Sequence, residues 1–533
     1  MKPKSVIVSD TTLRDGHQQP GLAFTLDERL YIASMLQDIG VDVIEAGFPA
    51  NAYDAEPVLR IAQEIRGPKI SALARVVKSD IDAAYESLKP AADRGDGMVH
   101  AFIGTSEMHQ THSHRKNAEQ VTEMVDNMVR YAVKLFGDVQ FSPEDATRTD
   151  RDYLDLIIST AIAAGAHRIN IPDTVGYTYP SEFTGLIRHI IDKHPTIKSR
   201  ETILSVHCHN DLESAVANTV ESIGAGATQF EGTINGLGER AGNTNLATVI
   251  IGLRKREDLW QKLGAQNYDA SHIDTTQFKR VADAVDVIAE MPTYANRPVT
   301  GTNAFRDSSG IHATAVLRNP GTYHIMRAED VGSKVEIVVG PTSGTNMIQG
   351  ILDKFGYEAT DEKVQETTEA LKGESIKYKD AFTESEAHVY IRRALGLSPQ
   401  EDPIKLGPYD VITGASEVST PPNAAVTLYV NGEKRVGFEA GVGPIDAVAK
   451  AILQALNGSA TEEIKLIKFD EMSVSAGTEA IARAQVALEY KGDVYWGRNR
   501  APDIVKAGVN ALMEAINSIY ILNPSIHSKP AGE

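Results

Sequence analysis

The chain has one cysteine, Cys208, in 533 residues. A single thiol cannot close an intramolecular disulfide, build a Cys-rich zinc site or hold an iron–sulfur cluster within one chain. Its rarity fits a reducing, cytoplasmic setting. Basic residues are also short: 53 Lys and Arg stand against 72 Asp and Glu, a formal net charge of -19. That balance argues against a nucleic-acid surface and gives no reason to expect an anionic membrane partner. Long apolar runs are missing too. Met1-Lys2-Pro3-Lys4-Ser5 leads straight into a short strand-like stretch, so neither a signal segment nor a spanning helix is expected. What remains, 42% hydrophobic and 23% charged, is the composition of a globular protein. Its length exceeds what one core supports, so two to four domains are expected.

The first half alternates short β-branched runs with amphipathic helical stretches. Strand-like runs occur at Val6 to Ser9, Val41 to Ile44, Ile70 to Val76, Met98 to Ile103, Asp138 to Phe141, Arg168 to Ile171, Thr202 to Val206 and Gln229 to Ile234. Helical patterns include Leu26 to Ile39, Asp152 to Ala164 and Glu213 to Ile223. Eight such alternations in about 250 residues predict a (β/α)8 barrel. A doubly wound open sheet is the runner-up, weakened because no G-x-G-x-x-G follows the first strand.

Chemistry in such barrels sits at the carboxyl ends of the strands. Here those ends carry Arg14, Asp15, Glu45, Glu144, Thr174, His207, His209 and Asn243. Side chains alternate across a strand, so His207 and His209 point one way and Cys208 the other. Two satisfied core histidines are the plain alternative to a metal pair. Closure of the ring, however, sets strands one, seven and eight side by side. Asp15, both imidazoles and the Asn243 amide oxygen then converge, a donor set that suits Mg, Mn or Zn with open positions.

Asp10-Thr11-Thr12-Leu13-Arg14-Asp15-Gly16, His207-Cys208-His209-Asn210-Asp211 and Gly232-Thr233-Ile234-Asn235-Gly236-Leu237-Gly238-Glu239-Arg240-Ala241-Gly242-Asn243 resemble the signatures of the 2-isopropylmalate synthase family. The related homocitrate and citramalate synthases share the barrel. The resemblance implies a (β/α)8 TIM barrel, a helical connector and a C-terminal α+β regulatory domain. It implies condensation of acetyl-CoA with a 2-oxo acid and hydrolysis of the thioester, the first committed step of leucine biosynthesis when the acid is 3-methyl-2-oxobutanoate. A citramalate or homocitrate synthase, a barrel lyase cleaving a 3-hydroxyacyl-CoA, and an effector-binding protein without catalysis are the alternatives.

By motif, Asp15, His207, His209 and Asn243 would hold the divalent metal, with a monovalent cation as a candidate activator. Arg14 would contact the oxo acid. Glu144 and Thr174 would complete its site, and Glu45 would bond either to substrate or to Arg14. His109 follows the end of strand four and is a further substrate candidate. His109, His112 and His114 alternate at two-residue spacing, but no second metal is expected there. His312, in a stretch resembling the segment that reaches a neighbouring subunit, would act with Glu144 on the base or the hydrolytic water. Tyr323 would assist as an acid. The chain departs from the family pattern at His17-Gln18-Gln19-Pro20, at Ala50-Asn51-Ala52 and at Glu213, where glycine is usual.

The expected domains are a barrel over 1–268, a mostly helical connector over 269–396 and a regulatory or dimerisation tail over 397–533. A loop over Leu397 to Pro408 marks the second boundary. The tail repeats itself: Val426 to Lys450 parallels Val486 to Lys506, each reading as strand, turn, strand and helix. The resemblance implies a homodimer or higher homo-oligomer, with leucine as the effector of the tail.

Overall fold

The computed structural model describes residues 4–256, 258–259, 268–399, 401–413, 421–456, 463–474, 480–523 and 526; Met1, Lys2 and Pro3 lie outside them. Two compact units divide the chain, Met1–Phe305 with Ile325–Lys334, and Arg306–His324 with Val335–Glu533.

The first unit is a closed barrel of eight strands. They are β1 (Ile7–Asp10), β2 (Val43–Glu45), β3 (Lys69–Arg75), β4 (Gly97–Gly104), β5 (Val139–Glu144), β6 (Arg168–Asp173), β7 (Ile203–Cys208) and β8 (Gln229–Gly232). Neighbours pair in parallel, and β1 closes the ring against β8 with Ile7 opposite Gln229. The open-sheet alternative is therefore excluded.

The outer helices follow local rules. Leu26–Ile39 starts at a Thr25–Glu28 capping box and stops at Gly40, whose φ of 85° only glycine adopts cheaply. Its Ile32, Leu36 and Ile39 are buried. Phe141 and Phe230 are fully buried among the strands, and burial of such a side chain is worth about 1.5–3 kcal/mol. Beyond β8 the unit continues. Tyr268–Asp269 pairs with Lys4–Ser5, and Phe278–Ile288 forms a helix.

The second unit carries a small sheet of Arg306–Asp307, Glu336–Val339 and Phe382–Thr383. Helices Gly310–Arg318, Thr345–Lys354, Asp361–Tyr378 and Glu384–Ala394 accompany it. Its tail consists of two copies of one motif, each a three-stranded antiparallel sheet and a helix. The first is Ile404–Ile412, Asn423–Val430, Glu433–Ala440 and Pro444–Leu456. The second is Lys465–Ser473, Ala482–Tyr490, Asp493–Ala501 and Ile504–Leu522. Their apolar faces form one core that includes Val426, Leu428, Ile452, Val486, Leu512 and Ile516.

One expectation is corrected here. The end of the stretch read as a loop, Leu397 to Pro408, belongs to the strand Ile404–Ile412. Gly407 and Pro408 lie within a register shift between Leu406 and Tyr409, and a bulge at a sheet edge tolerates both. The matching strand of the second copy shifts between Leu466 and Lys468.

Each helix docks onto its sheet at a glycine. A Cβ on Gly437 would lie 1.9 Å from the Ala451 carbonyl oxygen, and one on Gly497 would lie 1.9 Å from that of Ala511. Both obstacles are backbone, so neither can yield without moving the helix. Gly497→Ala should therefore cost about 3 kcal/mol or more, read as a shifted denaturation midpoint for the second unit. Gly443→Ala, which meets nothing within 4 Å, serves as the matched control.

Candidate functional site

The carboxyl ends of β1, β7 and β8 meet because the barrel closes. Asp15, His207 and His209 each offer a ligand atom, all within 4.8 Å of one another, and all three residues are buried. Asp15 Oδ2 stands 3.4 Å from His207 Nε2 and 3.5 Å from His209 Nε2. The two Nε2 atoms are 3.3 Å apart. Behind them, His209 Nδ1 donates to the Thr174 carbonyl at 2.6 Å, and His207 Nδ1 faces Glu231 Oε2 at 2.9 Å. His209 Nδ1 also has Arg240 Nη2 at 2.9 Å, and the 2.9 Å contact of His207 Nδ1 with Glu231 is an ion-pair contact without hydrogen-bond alignment. In both rings Nε2 is the nitrogen that lies beside Asp15. Two imidazole nitrogens and a carboxylate oxygen at this spacing are a donor set that a divalent cation can take up.

Asn243 completes the group. Its Nδ2 donates to Asp15 Oδ1 at 3.1 Å and to the Leu237 carbonyl at 2.9 Å. Its Oδ1 is buried with no hydrogen-bond partner. An unpartnered buried amide oxygen beside two imidazoles and a carboxylate fits a divalent cation.

The electrostatics are settled by ion pairs. Arg14 donates from Nη1 to Asp15 Oδ2 at 2.6 Å and from Nε to Glu45 Oε2 at 2.5 Å. Burial works to raise the Asp15 pKa, but Arg14 and the two imidazoles hold it well below the usual carboxylate range. Glu45 is lowered against its own burial by Arg14 and His100. Burial pushes Asp10 up to about 7, against hydrogen bonds from Thr12.

The structure brings some expected residues into this group and leaves others apart. Glu45 is engaged by Arg14 and by His100, whose Nδ1 is 2.6 Å away. Thr174 uses its carbonyl on His209, while its hydroxyl accepts from the Asp145 amide at 2.9 Å. Glu144 is half-buried at the end of β5, 3.4 Å from His109 Nδ1. That contact raises the His109 pKa. His109–Ser113 form a single wide helical turn. His112 is exposed, and His114 Nε2 donates to the Gly104 carbonyl at 2.8 Å. No metal group involves these histidines among the described residues. His312 and Tyr323 belong to the second unit, exposed, with their rings 4.1 Å apart. Cys208 is fully buried on the opposite face of β7.

Sequence reasoning missed His100, Gln140, Ser142 and Glu231. His100 Nε2 lies 2.6 Å from Ser142 Oγ, and Gln140 donates to Glu231 Oε1 at 2.6 Å. Burial works to raise Glu231, yet His100, His207 and Arg14 bring it down to about 2. A signal existed: Gln140 and Ser142 flank Phe141, and Gln229 and Glu231 flank Phe230. Such period-two polarity within a buried strand marks the inner face of the barrel.

Three family models match the chain in order. They are HMGL-like over residues 5–285, homocitrate synthase post-HMGL domain-like over 299–378, and LeuA allosteric (dimerisation) domain over 382–520. The 2-isopropylmalate synthase of Crocosphaera subtropica is 38% identical over 529 residues, covering 97% of this chain and 96% of that one. That of Aquifex aeolicus is 39% identical over 520 residues, 97% and 96% of the two chains. The chain belongs to the 2-isopropylmalate synthase family. Among solved structures, hydroxymethylglutaryl-CoA lyase from Pseudomonas aeruginosa is 20% identical and covers 59% of this chain and 98% of that one, with a TM-score of 0.45.

The departures from the 2-isopropylmalate synthase pattern have local structural roles. His17 stacks on Phe24 at 5.3 Å and accepts from its amide. Asn51 caps the helix Ala52–Glu64 by accepting from Tyr53 N. Glu213 is exposed with φ at 57°, a conformation that costs a residue with a side chain about 1–2 kcal/mol. This accounts for the glycine usual there.

If the clustered donors hold a cation, Asp15→Ala should abolish calorimetric binding of one equivalent of Mn2+. Arg14→Lys, which loses the two-way guanidinium contact, should bind it.

Proposed function

We infer that this chain condenses acetyl-CoA with 3-methyl-2-oxobutanoate and hydrolyses the thioester, releasing 2-isopropylmalate and CoA. The observation that carries the reading is near full-length identity to curated 2-isopropylmalate synthases, with all three domain models in order. The site supports it. A divalent cation, when bound by Asp15, His207, His209 and Asn243, supplies Lewis-acid polarisation of the 2-oxo group.

The chain's own residues do the rest. Arg14 is held by Asp15 and Glu45 through Nη1 and Nε. Its remaining nitrogen, Nη2, is the one to meet the oxo-acid end, where negative charge grows. Fixing the guanidinium from two sides removes the cost of reorienting it during reaction. Thr174 and His109 border the substrate in this reading. Glu144 takes the acetyl methyl proton in this reading, with His109 beside its carboxylate. His312 activates the base or the hydrolytic water, and Tyr323 donates a proton to the departing group. The tail is the regulatory and dimer-forming part, with leucine as effector, and the enzyme is a cytoplasmic homodimer. No helix among the described residues is long and apolar enough to cross a membrane.

Free thiol release from acetyl-CoA across a panel of 2-oxo acids tests the reaction. The highest kcat/KM should fall on 3-methyl-2-oxobutanoate, and preference for pyruvate or 2-oxoglutarate would overturn the assignment. One methylene is worth about 1–3 kcal/mol in such a pocket, so the preference over 2-oxobutanoate, one carbon smaller, should be roughly 10–200-fold. Leucine added to the full chain should lower this rate; unchanged turnover at saturating leucine would remove the regulatory role.

His312→Ala should lower kcat far more than it changes oxo-acid affinity, since an acid–base group acts chiefly in the transition state. Equal losses in both would contradict that role.

A further inference from the structure

The barrel axis is crossed by a line of polar side chains that the reaction does not need for contact with substrate. Glu231 Oε1 accepts from Gln140 Nε2 at 2.6 Å. Gln140 Oε1 accepts from Gln229 Nε2 at 2.7 Å, and Gln229 Oε1 accepts from Arg168 Nη1 at 2.7 Å. Arg168 is itself held by Asp138, at 3.2 Å from Nε and 3.0 Å from Nη2. Asp138 lies 2.9 Å from Lys69 Nζ, where exposure begins. Gln140, Gln229, Glu231 and Arg168 are all at most 5% exposed. Gln140 lies on β5 and Gln229 and Glu231 on β8, strands that are not neighbours in the ring. The line therefore runs through the interior, from the amino-terminal rim to the site.

Its direction is fixed by its ends. Arginine only donates and a carboxylate only accepts. Each amide between them must present oxygen toward Arg168 and nitrogen toward Glu231; a flipped amide would set donor against donor. The carboxylate is thereby anchored through Oε1, and its other oxygen, Oε2, lies 2.9 Å from His207 Nδ1 as an ion-pair contact. Neither atom has a hydrogen-bond partner, so this negative charge is what favours a proton on Nδ1. Without that charge, the neutral imidazole is free to carry its proton on Nε2, the atom that faces Asp15, and cannot then donate a lone pair to a cation.

We propose that Glu231 is the positioning residue that keeps the His207 proton on Nδ1 and its Nε2 free for metal, and that the Arg168–Gln229–Gln140 line holds Glu231 in that pose. The inference rests on the reading of Asp15, His207 and His209 as a metal group. Outer partners of this kind typically account for about 10–100-fold in metal affinity.

Two measurements on the full chain test it. Calorimetry reports Mn2+ affinity, and 15N shifts of labelled histidine in the metal-free protein report which ring nitrogen of His207 bears the proton. Glu231→Gln keeps the volume but removes the negative charge beside His207 Nδ1. It should weaken Mn2+ binding about 10–100-fold and move the His207 proton toward Nε2. Gln140→Met, which touches no metal-group residue, should weaken binding less and in the same direction. Circular dichroism confirms that each variant is folded, and the second variant serves if the first is not. Wild-type affinity in Glu231→Gln, with the proton still on Nδ1, would overturn the role of Glu231. Wild-type affinity in Gln140→Met would overturn the role of the line. Absence of Mn2+ uptake by the unaltered protein would instead remove the metal reading itself, and this inference with it.

Discussion

A carboxylate and two imidazoles are brought together, buried, at one end of a closed ring. The Asp15 carboxylate and the Nε2 atoms of His207 and His209 lie within 3.5 Å of one another, with little water to screen them. A buried carboxylate is costly in a folded chain unless something offsets it. Arg14 and the two imidazoles offset it at Asp15, and Asn243 donates a further hydrogen bond. The same three side chains, Asp15, His207 and His209, form a group that could hold a metal ion. Much of the surrounding structure reads as support for this concentration: Glu45 holding Arg14, Thr174 holding His209, and Glu231 facing His207.

The barrel was legible because its outward faces obey simple rules. Apolar residues return at helical spacing between short β-branched runs, and Leu26–Ile39 coincides with the helix expected there. The clustering of Asp15, His207, His209 and Asn243 was legible for a different reason. Its members sit in polar stretches just after strands, and a closed ring leaves them nowhere to go but together. The interior was less legible. Gln140, Ser142, Gln229 and Glu231 read as interruptions of buried strands, whereas they form an alternating inner face. A strand buried on both sides is expected to be apolar throughout, and that expectation hid the pattern. Periodicity does not single out His312 or Tyr323, since neither lies on a barrel strand.

The tail shows what repetition does and does not convey. Equivalent glycines, helices and hairpins announce two copies, but the first strand of each copy escaped notice. Lys465–Ser473 has four charged residues in nine, and Ile404–Ile412 contains Gly-Pro. Nor are the copies alike in their surroundings. Arg498 of the second copy donates to Glu386, and Tyr390 donates to Glu514, so the connector covers that copy. The matching position of the first copy, Phe438, is 62% exposed. A duplicated motif has thus been given two different jobs by its neighbours, a difference no single copy encodes.

The placement of Cys208 has its own consequence. Strand alternation puts the one sulfur of its kind on the reverse of the strand that carries His207 and leads into His209, sealed from solvent. It is chemically silent while β7 is in place, and it lies next in sequence to both residues whose geometry matters most. Alkylation of this position becomes a clock: its rate counts the moments at which the catalytic rim comes apart, with no introduced label and no background from other thiols.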